Sequence, residues 1–213
     1  MFISDVMTSN VTTISSKTSL AEARRIMDAH RLRRLPVVDR GKLVGIVTHA
    51  ALDRAGPSQL KSFSIHDITR VLNKVTVKEV MVKDLLTVSP DATVEEAVTL
   101  AQEKKVGSLL VVDDDRLVGI ATTNDFFYKI LNPILGIGKP GARLVVRNCR
   151  GPQDIEKIIA AINRLGLEVM TLFMLPIPER DAQSFVIHLS SDDPTGLIAE
   201  LRLLGFTVER RVR

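Results

Sequence analysis

Gly119-Ile-Ala-Thr122-Thr-Asn-Asp125 decides the reading of this chain, because the same pattern stands 74 positions earlier as Gly45-Ile-Val-Thr48-His-Ala-Ala51. Working outward at that constant spacing, Met7 falls on Met81, Ser15 on Ser89, Glu22 on Glu96, Leu35 on Leu109 and Asp39 on Asp113, with no gap. Such self-similarity predicts two halves, near 7–54 and 81–128, built from the same elements and packed together. The copies differ at one chemically important place. Asp125 ends the second junction, whereas Ala51 ends the first.

Each copy opens with a short extended piece, Val11-Thr-Thr-Ile14 or Leu85-Leu-Thr-Val88, and enters a helix through Ser19-x-x-Glu22 or Thr93-x-x-Glu96. Both read as capping boxes, in which hydroxyl and carboxylate reciprocally satisfy orphaned backbone donors. Leu20, Ala23, Ile26 and Met27 recur at helical spacing in the first helix, as do Val94, Ala97, Val98 and Ala101 in the second. Two β-rich runs follow in each copy. They are Leu35–Val38 and Leu43–Val47, then Leu109–Val112 and Leu117–Ile120, joined by the polar turns Asp39–Lys42 and Asp113–Arg116. The Asp113 to Asp115 run lacks the spaced oxygen ligands of a calcium loop and reads as a solvated turn. Between the copies, His66 to Val75 reads as a connecting helix.

Composition narrows the function classes. The 213 residues are 45% hydrophobic but only 4% aromatic, with no Trp and a single tyrosine, Tyr128, so the core is aliphatic. No apolar run approaches the roughly 18 residues of a membrane span, and the N-terminus has no leader pattern, so a cytoplasmic protein without membrane contact is expected. The lone Cys149 agrees with a reducing compartment and reads as a small core residue near a strand end rather than a reactive thiol. A net charge of +4 is a mild excess, with clusters at Arg31, Arg33 and Arg34 and at Arg210, Arg211 and Arg213. Nucleic acid is not expected as a partner, because single-strand binders interleave such clusters with stacking aromatics. The four histidines, His30, His49, His66 and His188, show no metal-ligand spacing, and no nucleophile stands in a recognisable elbow. The expectation is a non-enzyme with no metal site and no catalytic cofactor.

At the junction, a threonine and an aspartate three apart in the first turn of a helix project the same way. Such a pair either caps the helix or offers a carboxylate to the two hydroxyls of a ribose, an interaction worth about 1.5–3 kcal/mol.

The repeated pattern over residues 1–130 resembles a tandem pair of CBS domains, whose diagnostic junction is Gly-hydrophobic-x-Thr-x-x-Asp. The resemblance implies adenosine nucleotides (AMP, ADP or ATP) in the cleft between the copies, with Asp125 on the ribose and Thr122 or Asn124 near the phosphate. It also implies an adenine pocket lined from the other copy by Met7, Thr8 and Leu32 to Leu35. Basic residues that grip phosphate in many relatives are replaced here by Gly107 and Ser108, while Arg33 and Arg34 occupy the equivalent stretch of copy one. That arginine pair is expected to serve phosphate at the second cleft, beside Thr48 and His49, where Ala51 replaces the ribose carboxylate. Two unequal clefts follow, with at most one strong adenosine site.

The C-terminal third begins after Leu131-Asn-Pro-Ile-Leu-Gly-Ile-Gly-Lys-Pro-Gly141, whose Pro and Gly density reads as a linker that ends regular structure. Gly136-Ile-Gly-Lys139 fails the spacing of a phosphate loop. Beyond it stand strand 143–147, helix 155–165, strands 168–175 and 184–189, helix 195–204 and strand 206–211. Ile155, Ile158, Ile159, Ile162 and Leu165 form one stripe, stopped by Gly166. This βαββαβ order resembles an ACT domain of ferredoxin-like fold, and the whole arrangement is similar to the AcuB-type (acetoin utilisation) group of bacterial regulatory proteins. The expected class is α+β, with CBS domain 1 and its connecting helix at 1–76, CBS domain 2 at 77–130, a linker at 131–141 and the ACT-like domain at 142–213. ACT domains commonly carry an Asp-x-Pro-Gly-like loop, whereas here Asn148-Cys-Arg-Gly151-Pro152 stands after the first strand, so amino-acid binding and a dimer contact both remain open. The function implied is a regulator that senses nucleotide in the CBS pair and signals to the ACT-like domain or to an unidentified regulated protein. The rival is an amino-acid-sensing or oligomerisation module with the CBS pair as scaffold. Homodimerisation is implied under either.

Overall fold

The Ile3 N–H donates to Ala92 O and the Val77 N–H donates to Thr18 O, both at 2.8 Å. Donors and acceptors are each related by the repeat spacing, so the opening turn of each copy crosses to cap the other. The structure, a computed structural model, describes residues 1–55, 74–176 and 183–211. The expected connecting helix, including His66, falls largely outside the described residues, as does Arg213. The chain forms two compact units, Met1–Phe126 and Phe127–Arg213.

In the first unit, copy one runs α1 (Ile3–Val6), α2 (Leu20–His30), β1 (Arg34–Asp39), β2 (Lys42–Thr48) and α3 (His49–Ala55). Copy two begins with a 3-10 turn (Val77–Glu79), then β3 (Thr87–Val88), α4 (Val94–Glu103), β4 (Ser108–Asp113), β5 (Arg116–Thr122) and α5 (Thr123–Phe126). The hairpins match residue for residue. Arg34 faces Thr48 and Ser108 faces Thr122, with register shifts after Val37 and Val111. Both turns are tight: Arg40 and Gly41 have φ of 52° and 78°, and Asp114 and Asp115 have 45° and 63°. Positive φ at both central residues matches the right-handed twist of the flanking strands.

The crossing continues past the opening turns. Thr8 bridges Ile120 of β5, and its equivalent Val82 bridges Ile46 of β2. Glycine is required at these approaches, since a Cβ on Gly119 would overlap Met7 Sδ and one on Gly45 would stand 2.6 Å from Met81 Sδ. The copy-one core gathers Ile14, Leu20, Ala23, Met27, Leu35, Val37, Val47 and Leu52, and Val77 of copy two is buried among them. Full burial of one such aliphatic side chain is worth about 1.5–3 kcal/mol. Copy one therefore does not complete its core alone.

The two helix caps differ from expectation in one respect. Thr93 and Glu96 form the full reciprocal box, with Thr93 Oγ1 accepting from Glu96 N at 3.2 Å and Glu96 Oε2 accepting from Thr93 N at 2.9 Å. Ser19 accepts from Glu22 N at 3.2 Å, but the Glu22 carboxylate turns instead to Arg25, at 2.7 Å from Nη2. A charged donor one turn along outcompetes a neutral backbone amide.

The second unit contains helical residues Phe127–Leu131, α6 (Asn132–Leu135), β6 (Arg143–Cys149), α7 (Pro152–Arg164), β7 (Val169–Pro176), β8 (Gln183–Leu189), α8 (Thr195–Leu203) and β9 (Thr207–Arg211). Its sheet has the order β7-β8-β6-β9, with every neighbouring pair antiparallel. Ile158, Ile162, Leu197 and Leu201 pack on Leu144, Val146, Phe185 and Ile187 to form its core. Two expectations are corrected here. The stretch read as ending regular structure contains α6, with Pro133 in its first turn and Gly136 closing it at φ 60°. Arg143 donates to Gly136 O and His188 Nε2 donates to Pro140 O at 2.8 Å, which ties this stretch to the sheet. Leu165, placed in the apolar stripe, caps α7 and is 41% exposed.

Candidate functional site

Asp125 is only 8% exposed, and both of its carboxylate oxygens are engaged. Oδ2 accepts from the Thr122 amide at 2.9 Å and from Thr122 Oγ1 at 2.6 Å, while the Asp125 amide donates back to Thr122 Oγ1 at 3.3 Å. Oδ1 accepts from Thr8 Oγ1 of the other copy at 3.0 Å. The capping alternative is observed at this pair. The carboxylate caps the turn through Oδ2 and faces across the copies through Oδ1.

The equivalent place in copy one is built differently. Thr48 Oγ1 accepts from the Ala51 amide at 3.2 Å, so the threonine half of the motif survives, but Ala51 is packed into the core and offers no acceptor. His49 is drawn away to acids: Nδ1 lies 2.9 Å from Asp53 Oδ2 and Nε2 lies 3.6 Å from Asp28 Oδ1. Arg24 also pairs with Asp53. At the equivalent positions copy two has Gln102 and Phe127, so this carboxylate pair is a feature of copy one alone.

Arg34 links the two copies. Its guanidinium reaches across to donate to Ser108 Oγ of copy two. A Cβ built on Gly107 would lie 3.7 Å from Arg34 Nη2 and 3.6 Å from Thr123 Oγ1. Burial, and next the charge of Arg33, press the Arg34 pKa below its ordinary value. Arg33 is exposed, and its carbonyl accepts from the His49 amide at 2.8 Å. The repeat itself carried the clue, since Arg34 and Ser108 are equivalent residues.

The other expected pocket residues are dispersed. Met7 packs toward Gly119 and Thr8 meets Asp125, while Leu32 is half-buried against the copy-one core. Leu35 is fully buried in that core, which withdraws its side chain from any cleft. Asn124 is exposed. A separate concavity of about 800 Å³ lies at the turn ends of the hairpins, away from the junctions, where Arg40, Lys42 and Arg116 mix with Asp114 and Asp115.

In the second unit, the stretch Asn148 to Gly151 joins the end of β6 to α7. Asn148 belongs to β6 and takes the left-handed φ of 61° at an irregularity between Val146 and Cys149. Gly151 has an extended backbone at φ 163°, and a Cβ there would meet only Gln153 Oε1 at 3.5 Å. Cys149 is buried, and that burial, with Asp154 second, raises its thiol pKa despite the Phe185 backbone hydrogen bond. Among the described residues no three His, Cys, Asp or Glu side chains gather as a metal site, and no helix is long and apolar enough to cross a membrane.

The comparisons with known proteins match this geometry. The CBS domain family matches residues 3–57 and again 77–132. Over 160 residues the chain is 35% identical to the inosine-5'-monophosphate dehydrogenase of Methanocaldococcus jannaschii, which covers 74% of this chain but only 29% of that enzyme. A structure from Vibrio cholerae assigned to acetoin utilization (AcuB) superposes with a TM-score of 0.54 at 30% identity, covering 66% of this chain and 98% of the other. A Methanocaldococcus jannaschii protein assigned as an archaeal homolog of g-AMPK superposes at 0.50 and 28% identity, covering 58% and 45% of the two chains. With two complete matches across the repeat that its own hydrogen bonding defines, the chain belongs to the CBS-domain family and carries that domain as a tandem pair.

Proposed function

We propose that this chain is a non-catalytic regulator whose CBS pair binds an adenine nucleotide, AMP, ADP or ATP, on the Asp125 side of the cleft and passes its occupancy to the C-terminal unit or to a partner protein. The observation that carries the reading is the Asp125 carboxylate, bonded within copy two through Thr122 and to copy one through Thr8. A ribose diol that engages Oδ1 competes with Thr8, so binding exchanges a bond that joins the copies. The ligand thereby shifts their relative arrangement by as much as its affinities for the two states differ. We read the C-terminal unit as ACT-like, on the support of its βαββαβ order and antiparallel four-stranded sheet. Calorimetric titration of AMP, ADP and ATP into the native protein and Asp125→Ala tests the nucleotide reading. A loss of about tenfold or more in the variant supports it, and equal affinity in both proteins overturns the role given to Asp125.

One feature favours the second reading, an amino-acid-sensing or oligomerisation module. The outer strand β7 exposes Met170, Leu172 and Leu175 at 39%, 37% and 49%. A homodimer formed through that strand, with thermal stabilisation by amino acids and none by nucleotides, would favour it.

A further inference from the structure

The repeat sets Arg40, Gly41 and Lys42 of the first hairpin turn against Asp114, Asp115 and Arg116 of the second. Equivalent turns therefore carry opposite charge. Two cations stand in the first, while Arg116 leaves the second with one net negative charge. Both turns line the concavity of about 800 Å³, a size suited to a small molecule. Asp39, at the entry to the first turn, does not neutralise that wall, because its Oδ1 accepts from Ser15 Oγ and Ser16 N. Among the described residues, none of the five charged side chains in the lining makes a hydrogen bond or an ion pair. The remaining lining includes the half-buried Val11, Val38 and Leu117.

The sign pattern selects the ligand. A simple anion is drawn to Arg40 and Lys42 but repelled by Asp114 and Asp115, and a simple cation meets the reverse. A molecule with one charge of each sign satisfies both walls, and an aliphatic body covers the valines and Leu117. We propose that this concavity is a second ligand site, separate from the Asp125 cleft, for a zwitterion of aliphatic amino-acid chemistry, free or as a short peptide with free ends. Its carboxylate lies on Arg40 and Lys42, and its ammonium on Asp114 and Asp115. The exposure of these side chains makes the affinity modest and dependent on salt.

The test is an NMR titration of the isotope-labelled full chain with leucine, with leucyl-leucine and with N-acetyl-leucinamide, whose ends carry no charge. Arg40→Asn and Asp114→Asn remove one charge from each wall, and asparagine tolerates the left-handed backbone at both positions. Melting curves confirm that the variants fold. The expected result is saturable shifts at the Gly41 and Asp115 amides with leucine or leucyl-leucine and none with the blocked compound. Each variant should weaken binding about threefold to tenfold. If leucine binds better the ligand is the free amino acid, and if leucyl-leucine does it is the peptide. No saturable shift with either zwitterion, equal binding of the blocked compound, or shifts confined to residues 127–213 and unchanged in both variants overturns the inference. Displacement of the bound zwitterion by AMP in direct competition also overturns it, since the concavity would then be a nucleotide site.

Discussion

Thr8 Oγ1 donates to Asp125 Oδ1 at 3.0 Å, joining the opening segment of copy one to the junction of copy two. Thr8→Val removes the donor and leaves a largely buried carboxylate oxygen short of one partner, at a cost of about 1 kcal/mol. Asp125→Ala removes the acceptor shared by Thr8 and Thr122 and costs more. Because both changes break the same bond, the double variant should be less destabilised than the sum of the two. Urea unfolding of the four proteins measures the coupling.

Gly119→Ala places a methyl group against Met7 Sδ and within 3.3 Å of Thr8 O, a backbone atom that cannot swing away. The expected destabilisation is about 1–3 kcal/mol. Shortening the obstructing side chain relieves part of it, so Met7→Ala should cost less in the Gly119→Ala background than alone. Equal costs in both backgrounds would show that the crossing segment does not press on this glycine.

The Asp39 carboxyl is held below its ordinary value by the Ser16 side chain and amide and by Ser15. Its Oδ1 accepts from Ser16 N at 3.0 Å and from Ser15 Oγ at 2.9 Å. A folded pKa below the unfolded one, about 3.9, gives stabilisation that is complete above the unfolded value and lost as pH falls through the folded one. The difference in Tm between the native protein and Asp39→Asn should be constant above about pH 5 and shrink below about pH 4. A difference that grows on acidification would contradict this assignment.

Cys149 is 2% exposed, and its thiol pKa is raised by burial. Since the thiolate is the reactive form, a disulfide reagent such as dithionitrobenzoate should label the folded protein far more slowly than the urea-unfolded chain. Similar rates in both states would mean that β6 opens readily at its irregular end.

The repeat, the hairpins and the Thr122–Asp125 pair were legible in the sequence because each is a local pattern stated twice at one spacing. The exchange of opening turns was not. Ile3 and Val77 look alike in both possible arrangements, and only pairing with Ala92 and Thr18 across the chain distinguishes them. Glu22 has the spacing of a capping partner for Ser19 but equally that of an ion pair with Arg25, and only geometry decides between them. The contact of Arg34 with Ser108 was not legible either, because only the fold brings the start of β1 beside the start of β4. Asn148 was read as part of a loop because the resemblance places one after the first strand, whereas β6 runs on through an irregularity to Cys149.

The most direct test of the account is a crystal structure of the protein grown with AMP. One AMP per chain is expected, with its ribose hydroxyls on Asp125 and Thr8 Oγ1 released from Oδ1. An AMP bound elsewhere, such as the concavity beside Arg40 and Arg116, with the Thr8–Asp125 bond intact, would contradict it.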